Sequence, residues 1–340
     1  MSASIQSFNP HFNRQMKSIL ALFILLMCSV QNTSYAQIFR HPFKQVQPLD
    51  SMQQLEYPFE VKYATLEPYL TVAYADEGKG LETIVFIHGL GSYMPAWMNN
   101  ISELKSQYRC IAIDLPGYGK SSKFHHSGMM TFYAEVVTKL LDHLNIESAY
   151  WAGHSMGGQI SMVAALYHPE KVKGLILAAP AGFEVFTPGQ RQWFRDVMSV
   201  RGVKVTPVHD IQVNLSYNFY NMPSEADFMI KDRIAMRKAI DFDDYCYAIV
   251  QSVHGMVDEP VFEFLPKITQ PTIVLYGEND NLIPNRYLNP GRTLDIAEAG
   301  TAQLPNATLI MIPKTGHFLQ FESPAVFNEN VKTFIESRKQ

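Results

Sequence analysis

The sequence predicts an α/β fold: a mostly parallel central sheet with helices on both faces and an inserted helical cap. Three observations predict it. Short Val/Ile/Leu-rich runs alternate with helical stretches from residue 59 to the end, the pattern of strand–helix units whose sheet is covered on both sides. A Gly-x-Ser-x-Gly sequence, Gly153 to Gly157, stands between one such run and a helical stretch. Finally, 90 residues (Ala181 to Gln270) separate two consecutive apolar runs, where connections of about 2–6 residues are usual.

The elements follow in order. Phe59 to Leu66 and Tyr69 to Ala75 read as an antiparallel pair, and Thr83 to His88 as a short Ile/Val/Phe strand. Trp97 to Ser106 has helical spacing, Cys110 to Leu115 is a strand, and Phe132 to Leu144 is a helix. Ala149 to Gly153 is a strand, and Met156 to Tyr167 a helix that stops near Pro169, which cannot continue it. Val172 to Ala178 is the next strand. The long gap holds helical patterns around Arg191 to Val200 and Ala226 to Val250. Strands at Pro271 to Tyr276 and Ala307 to Ile312 follow, and Ala325 to Ser337 closes as a helix. The expected division is a core of residues 59–182 and 257–340 with a helical cap at 183–256.

Composition narrows the function. An apolar fraction of 47% with 18% charged residues excludes a disordered chain and supplies a large core. The 28 basic residues do not exceed the 32 acidic ones and form no block, so no nucleic-acid partner is expected. Three cysteines without a Cys-x-x-Cys pair exclude a disulfide scaffold and a structural zinc site. Cys110 and Cys246 are expected as buried free thiols.

The first 36 residues read as a secretory signal peptide. The apolar run Ile19 to Val30 spans 12 residues, short of the roughly 20 that cross a bilayer. Arg14 and Lys17 precede it with no acidic residue, and Ser34-Tyr35-Ala36 ends it with small residues suited to cleavage. Export to the periplasm or the medium is expected, with no stable membrane span after cleavage. An uncleaved anchor stays open, as does a start at Met16 rather than Met1. Residues 37–58 read as a loosely structured lead-in.

Chemistry centres on Ser155. Glycines two residues to either side, Gly153 and Gly157, suit a sharp strand-to-helix turn that projects the hydroxyl at the sheet edge. The turn also sets Ser155 at a helix N-terminus, which favours negative charge. A serine nucleophile needs a base, and the base needs an orienting acid. His317 follows the last strand in Thr315-Gly316-His317-Phe318, and Asp280 follows the strand ending at Tyr276. Both leave the carboxyl edge, the side of Ser155. Glu278 is an alternative acid, closer to the strand end. Asp114, in Asp114-Leu115-Pro116-Gly117-Tyr118-Gly119-Lys120-Ser121, reads as a structural turn residue. Two backbone N–H groups are needed for an oxyanion: Met156, after the nucleophile, and Leu90, in the supporting loop His88-Gly89-Leu90-Gly91.

These motifs, with the order Ser155, Asp280, His317, resemble the α/β-hydrolase superfamily, in the serine-nucleophile group with a helical cap that includes carboxylesterases and lipases. The resemblance covers about residues 60 to 338. It implies the α/β-hydrolase fold, a catalytic triad of these three residues, and no metal or organic cofactor. Ser155 argues against epoxide hydrolases and haloalkane dehalogenases, which use an aspartate nucleophile. The stretch Asn285 to Gln303 is longer than the family pattern.

The expected activity is hydrolysis of a small or medium hydrophobic carboxylic ester through an acyl-enzyme. The aromatic residues Trp193, Phe194, Tyr217, Phe219, Tyr220, Phe242, Tyr245 and Tyr247 in the cap suit such a substrate. A proline iminopeptidase-like activity, a carbon–carbon bond hydrolase on the same triad, a membrane-surface lipase and a ligand-binding receptor reusing the fold remain alternatives. Carbon–carbon hydrolases of this fold usually show an asparagine near the glycine loop, for which Asn99 and Asn100 are weak support.

Overall fold

A computed structural model describes Phe43 and residues 46–338. The expected signal peptide, residues 1–36, lies outside the described residues, as does most of 37–45. Among the described residues no helix is long and apolar enough to cross a membrane.

Among the described residues eight strands form one sheet: β1 (Lys62–Glu67), β2 (Leu70–Glu77), β3 (Thr83–Ile87), β4 (Arg109–Ile113), β5 (Ala149–His154), β6 (Val172–Ala178), β7 (Thr272–Gly277) and β8 (Ala307–Ile312). Their spatial order is β1-β2-β4-β3-β5-β6-β7-β8. β2 pairs antiparallel with β1 and β4, and every other pairing is parallel. β3, β5 and β7 are buried along their whole length, as parallel strands covered on both faces must be. Chain order reverses at β3, which has β4 on one side and β5 on the other. Open α/β sheets bind ligands at the carboxyl side of such a reversal. Ile87 and Gly153 are register partners there, and Gly277 pairs with Ile312. The loops carrying Leu90, Ser155, Asp280 and His317 therefore leave the same edge.

Helices cover the sheet. α1 (Met98–Leu104) packs with α11 (Pro324–Glu336), and α2 (Met130–His143) with α3 (Met156–Tyr167). α3 is buried over its first ten residues, Met156 to Ala165, which fits a sequence apolar nearly all round. α9 (Thr293–Thr301) occupies much of the long stretch before β8, and α10 (Leu319–Glu322) lies directly after the His317 loop. The two cysteines named above are buried and free.

The insertion between β6 and β7 is helical, with α4 (Pro188–Val197), α5 (Val200–Lys204), α6 (Val208–Ser216), α7 (Asp227–Ala235) and α8 (Phe242–Asp258). Two expectations about it are corrected. The pattern at 226–250 is two helices, broken at Met236–Lys238 and at an extended Ala239. The boundary at 256 falls inside α8, whose face of Phe242, Tyr245, Cys246, Ala248 and Ile249 belongs to the main core. The last helix of the insertion is thus part of the hydrolase-like body, not of a separately cored lid. Tyr118 from the β4 loop donates to Ser252 of α8 at 2.8 Å, and the Tyr133 hydroxyl meets the same oxygen at 2.8 Å. Buried hydroxyls need such partners.

The lead-in is a further correction. Met52 and Leu55 are buried in the main core. The Leu49 N–H donates to the Ala235 carbonyl, the Ile240 N–H donates to the Asp50 carbonyl, and the Met52 N–H donates to Asp241 at 3.0 Å. Residues 49–52 run along the break between α7 and α8 and supply partners for backbone groups that a broken helix leaves open. Glutamine and proline content alone gave no sign of that docking.

Candidate active site

Ser155 stands between β5 and α3 at φ 52°, ψ −115°. A left-handed backbone at a serine costs about 1–3 kcal/mol and persists only where its surroundings impose it. Here they do. The Ser155 N–H donates to Ala178 of β6 at 2.9 Å, and its carbonyl accepts from Gly158 and Ala181, each at 2.9 Å. The glycines are required by space. A β-carbon on Gly153 would lie 2.2 Å from the Gly157 carbonyl oxygen, and one on Gly157 would lie 2.2 Å from that of Ile87.

His317 and Asp280 are brought together. His317 Nδ1 donates to Asp280 Oδ2 at 2.7 Å, both side chains being buried. Asp280 Oδ1 accepts the N–H groups of Leu282 and Ile283 at 2.7 and 3.0 Å, so the turn aims Oδ2 at the ring. A proton held on Nδ1 leaves the Nε2 lone pair free to take another. Asp280, not the exposed Glu278, meets the His317 ring. The Ser155 and His317 loops meet through His154. Its ring lies 4.8 Å from that of His317, and its Nε2 donates to the His317 carbonyl at 3.1 Å. Burial holds the His154 imidazole far below its usual range, so it stays neutral and acts as a strut.

The loop after β3 approaches Ser155 directly: a β-carbon on Gly89 would lie 3.2 Å from that of Ser155. His88 accepts the Leu115 N–H on Nε2 at 3.1 Å, so its proton sits on Nδ1, which bonds the Gly89 carbonyl at 2.8 Å. Burial lowers His88 to about 4. It is a neutral pin between the loops after β3 and β4. Among the described residues the amides of Leu90 and Met156 donate to no protein acceptor. Asp114 is also structural. It accepts Met94 and Lys120 N–H groups at 2.8 Å each and the Tyr57 hydroxyl at 2.6 Å, and burial pushes it up to about 6.

Residues 82–324 match the family described as the alpha/beta hydrolase fold. The chain belongs to that family. It is similar, at 29% identity over 269 residues, to the dihydrolipoyllysine-residue acetyltransferase component of the acetoin cleaving system of Cupriavidus necator. That match covers 78% of this chain and 67% of the relative, and the Pseudomonas putida counterpart is covered over 64% of its length. It is 26% identical over 270 residues to a 2-hydroxy-6-oxononadienedioate/2-hydroxy-6-oxononatrienedioate hydrolase of Cupriavidus pinatubonensis, covering 76% of this chain and 89% of the relative. A crystal structure of a probable hydrolytic enzyme from Pseudomonas aeruginosa superposes with a TM-score of 0.77 at 24% identity, over 85% of this chain and 99% of that one.

In this α/β-hydrolase two carboxylates at the site were not legible from sequence. Glu184, six residues past β6, accepts the Asn285 N–H at 2.9 Å and the Asn289 side-chain amide at 2.8 Å. It ties the start of the insertion to the turn after Asp280, and burial, with the negative field of Asp280, raises its carboxyl. Residues 178–181 at the end of β6 hold no carboxylate, and Glu184 is the first one past the strand. Glu322, in α10, accepts the Gly316 N–H beside His317. Of the cap aromatics, Phe219, Phe242 and Tyr245 are buried, whereas Trp193 and Tyr220 are exposed. Phe219 stacks on Phe318 at 5.4 Å. The Tyr245 hydroxyl donates to the Gly91 carbonyl at 2.9 Å. Asn100 is spent on structure, its amide bonding Gln320 and Asn328.

Proposed function

We propose that the protein is a serine hydrolase that cleaves a small or medium hydrophobic carboxylic ester through an acyl-enzyme on Ser155. The observation that carries this reading is the 2.7 Å bond from His317 to Asp280, on a loop that leaves the same sheet edge as Ser155 at its positive φ. In the proposed mechanism Ser155 Oγ attacks the acyl carbon while His317 Nε2 takes its proton. The Leu90 and Met156 amides hold the oxyanion; one such donor is worth about 3 kcal/mol of activation free energy. His317 then protonates the leaving alkoxide, and Asp280 stabilises the imidazolium in between. Water attacks the acyl-enzyme by the same route and frees Ser155.

The carbon–carbon bond reading is favoured by one observation, the similarity to the 2-hydroxy-6-oxononadienedioate/2-hydroxy-6-oxononatrienedioate hydrolase of Cupriavidus pinatubonensis. It uses the same triad. The test is a time course of p-nitrophenol release from acetyl, butyryl, octanoyl and palmitoyl esters, with Ser155→Ala alongside. Turnover of the shorter esters that disappears in Ser155→Ala is expected. Equal rates from both proteins, or none from either, would overturn the ester reading; the vinylogous diketone, aminoacyl amide and ligand-binding alternatives would then be assayed. A maximum at palmitoyl would make it a lipase.

Export is part of the proposal and rests on residues 1–36 of the sequence. N-terminal sequencing of protein recovered from the periplasm or medium is expected to begin at Gln37. Recovery of all of it in the cytosol with residue 1 or 16 at its start contradicts export.

A further inference from the structure

The insertion grips the loops of the site at several points. Tyr245 of α8 bonds the Gly91 carbonyl, and Tyr93 bonds Asp232 of α7. Glu184 holds the turn after Asp280. The tightest grip is on the two residues that flank His317. A β-carbon on Gly316 would lie 2.6 Å from the Tyr220 nitrogen and 2.7 Å from the Asn218 oxygen, so backbone of the insertion packs directly on backbone of the His317 loop. On the other flank the Phe318 N–H donates to the Asn218 carbonyl at 3.0 Å.

Glu322 spans this joint. Its Oε2 accepts the Gly316 N–H at 2.7 Å and the Tyr220 N–H at 3.1 Å, and its Oε1 accepts the Asn221 N–H at 2.6 Å. No lysine, arginine or histidine pairs with it among the described residues. Three N–H donors drawn from two chain segments about 100 residues apart serve a half-buried carboxylate in place of a cation. Hydrogen bonds to an ionised acceptor are roughly twice as strong as neutral ones. Burial raises the carboxyl while these donors pull it back down.

We propose that Glu322 is a positioning residue for His317: it holds the base in place by joining the His317 loop to residues 218–221 of the insertion. The inference rests on His317 being the base. Glu322 acts on the ring through the Gly316 backbone, so the insertion sets the geometry of the base as well as covering the site.

The variants that test it are Glu322→Gln, Asn221→Pro and the two combined, in the full chain. Glutamine turns one acceptor oxygen into a donor that faces an N–H. Asn221→Pro removes one donor from the insertion side and leaves Glu322 intact. On p-nitrophenyl butyrate, Glu322→Gln is expected to lose about 10- to 100-fold in kcat, the scale of a base displaced by up to about 1 Å, with KM nearly unchanged. Asn221→Pro is expected to lose part of that, and the double variant no more than Glu322→Gln alone, as coupled groups require. A second readout needs no substrate. The downfield proton resonance of His317 Nδ1, identified by its loss in His317→Ala, should shift or broaden in Glu322→Gln. Full kcat in a folded Glu322→Gln, losses that multiply in the double variant, or an unmoved resonance would overturn the proposal. Should Glu322→Gln fail to fold, full kcat in folded Asn221→Pro would overturn it. If the wild type turns over no ester while the resonance still moves, the ester reading falls and the positioning role stands.

Discussion

Replacing Asp280 by asparagine is expected to lower kcat about 10⁴-fold with little change in KM or in thermal stability. The turn explains why. Asp280 Oδ1 accepts two backbone N–H groups, and Oδ2 alone meets His317. An asparagine keeps its carbonyl on the N–H pair, since the reverse orientation would set its NH₂ against two donors. Its amide nitrogen then donates to His317 Nδ1. The neutral imidazole is forced to carry its proton on Nε2, where the lone pair for Ser155 should be. Steady-state kinetics on p-nitrophenyl butyrate and a thermal melt check both halves. A kcat within about tenfold of wild type in a folded variant would remove Asp280 from the mechanism.

Gly157→Ala is expected to damage stability and catalysis together. Its β-carbon would sit 2.2 Å from the Ile87 carbonyl oxygen and 2.8 Å from that of His88. Neither neighbour is a flexible side chain, so α3 and the end of β3 must part. Overpacking of this kind costs about 1–3 kcal/mol, or about 2–4 °C of Tm per kcal/mol for a large domain. The parting carries Leu90 away from Ser155, and a shift near 1 Å costs about 100-fold in kcat. Gly189→Ala in α4 is the control. Nothing lies within 4 Å of a β-carbon there, and alanine favours a helix by about 0.5–1 kcal/mol. Equal Tm and kcat for Gly157→Ala and the control would contradict the elbow geometry.

The parts of the site that sequence disclosed share one property: each is written in consecutive residues. Gly153 to Gly157 states a turn through residue size, and the apolar runs before Asp280 and His317 state which sheet edge those residues leave. The inner strands were legible because burial on both faces demands unbroken apolar runs, and Val172–Ala178 matches its expected limits; Ala307–Ile312 also matches, although this edge strand is only partly buried. Where the expectation went astray, a distant segment intervened. The helical pattern at 226–250 breaks where residues 49–52 dock. α9 went unassigned because Thr293–Thr301 has only a short buried face of Thr293, Ala297 and Gly300.

The sequence by itself determined the sheet, the elbow around Ser155 and the edge from which the Asp280 and His317 loops leave, because side-chain size and apolar periodicity are local. Only the tertiary structure decided that Asp280 rather than Glu278 bonds the His317 ring, that His88 and His154 are neutral struts, and that Glu184 and Glu322 bind loops of the site to the insertion. The physical reason is the same in each case. These residues are recognised by backbone N–H and C=O groups or by burial. Every residue offers nearly the same backbone groups, so sequence carries no mark of which ones will be brought to a given carboxylate or ring.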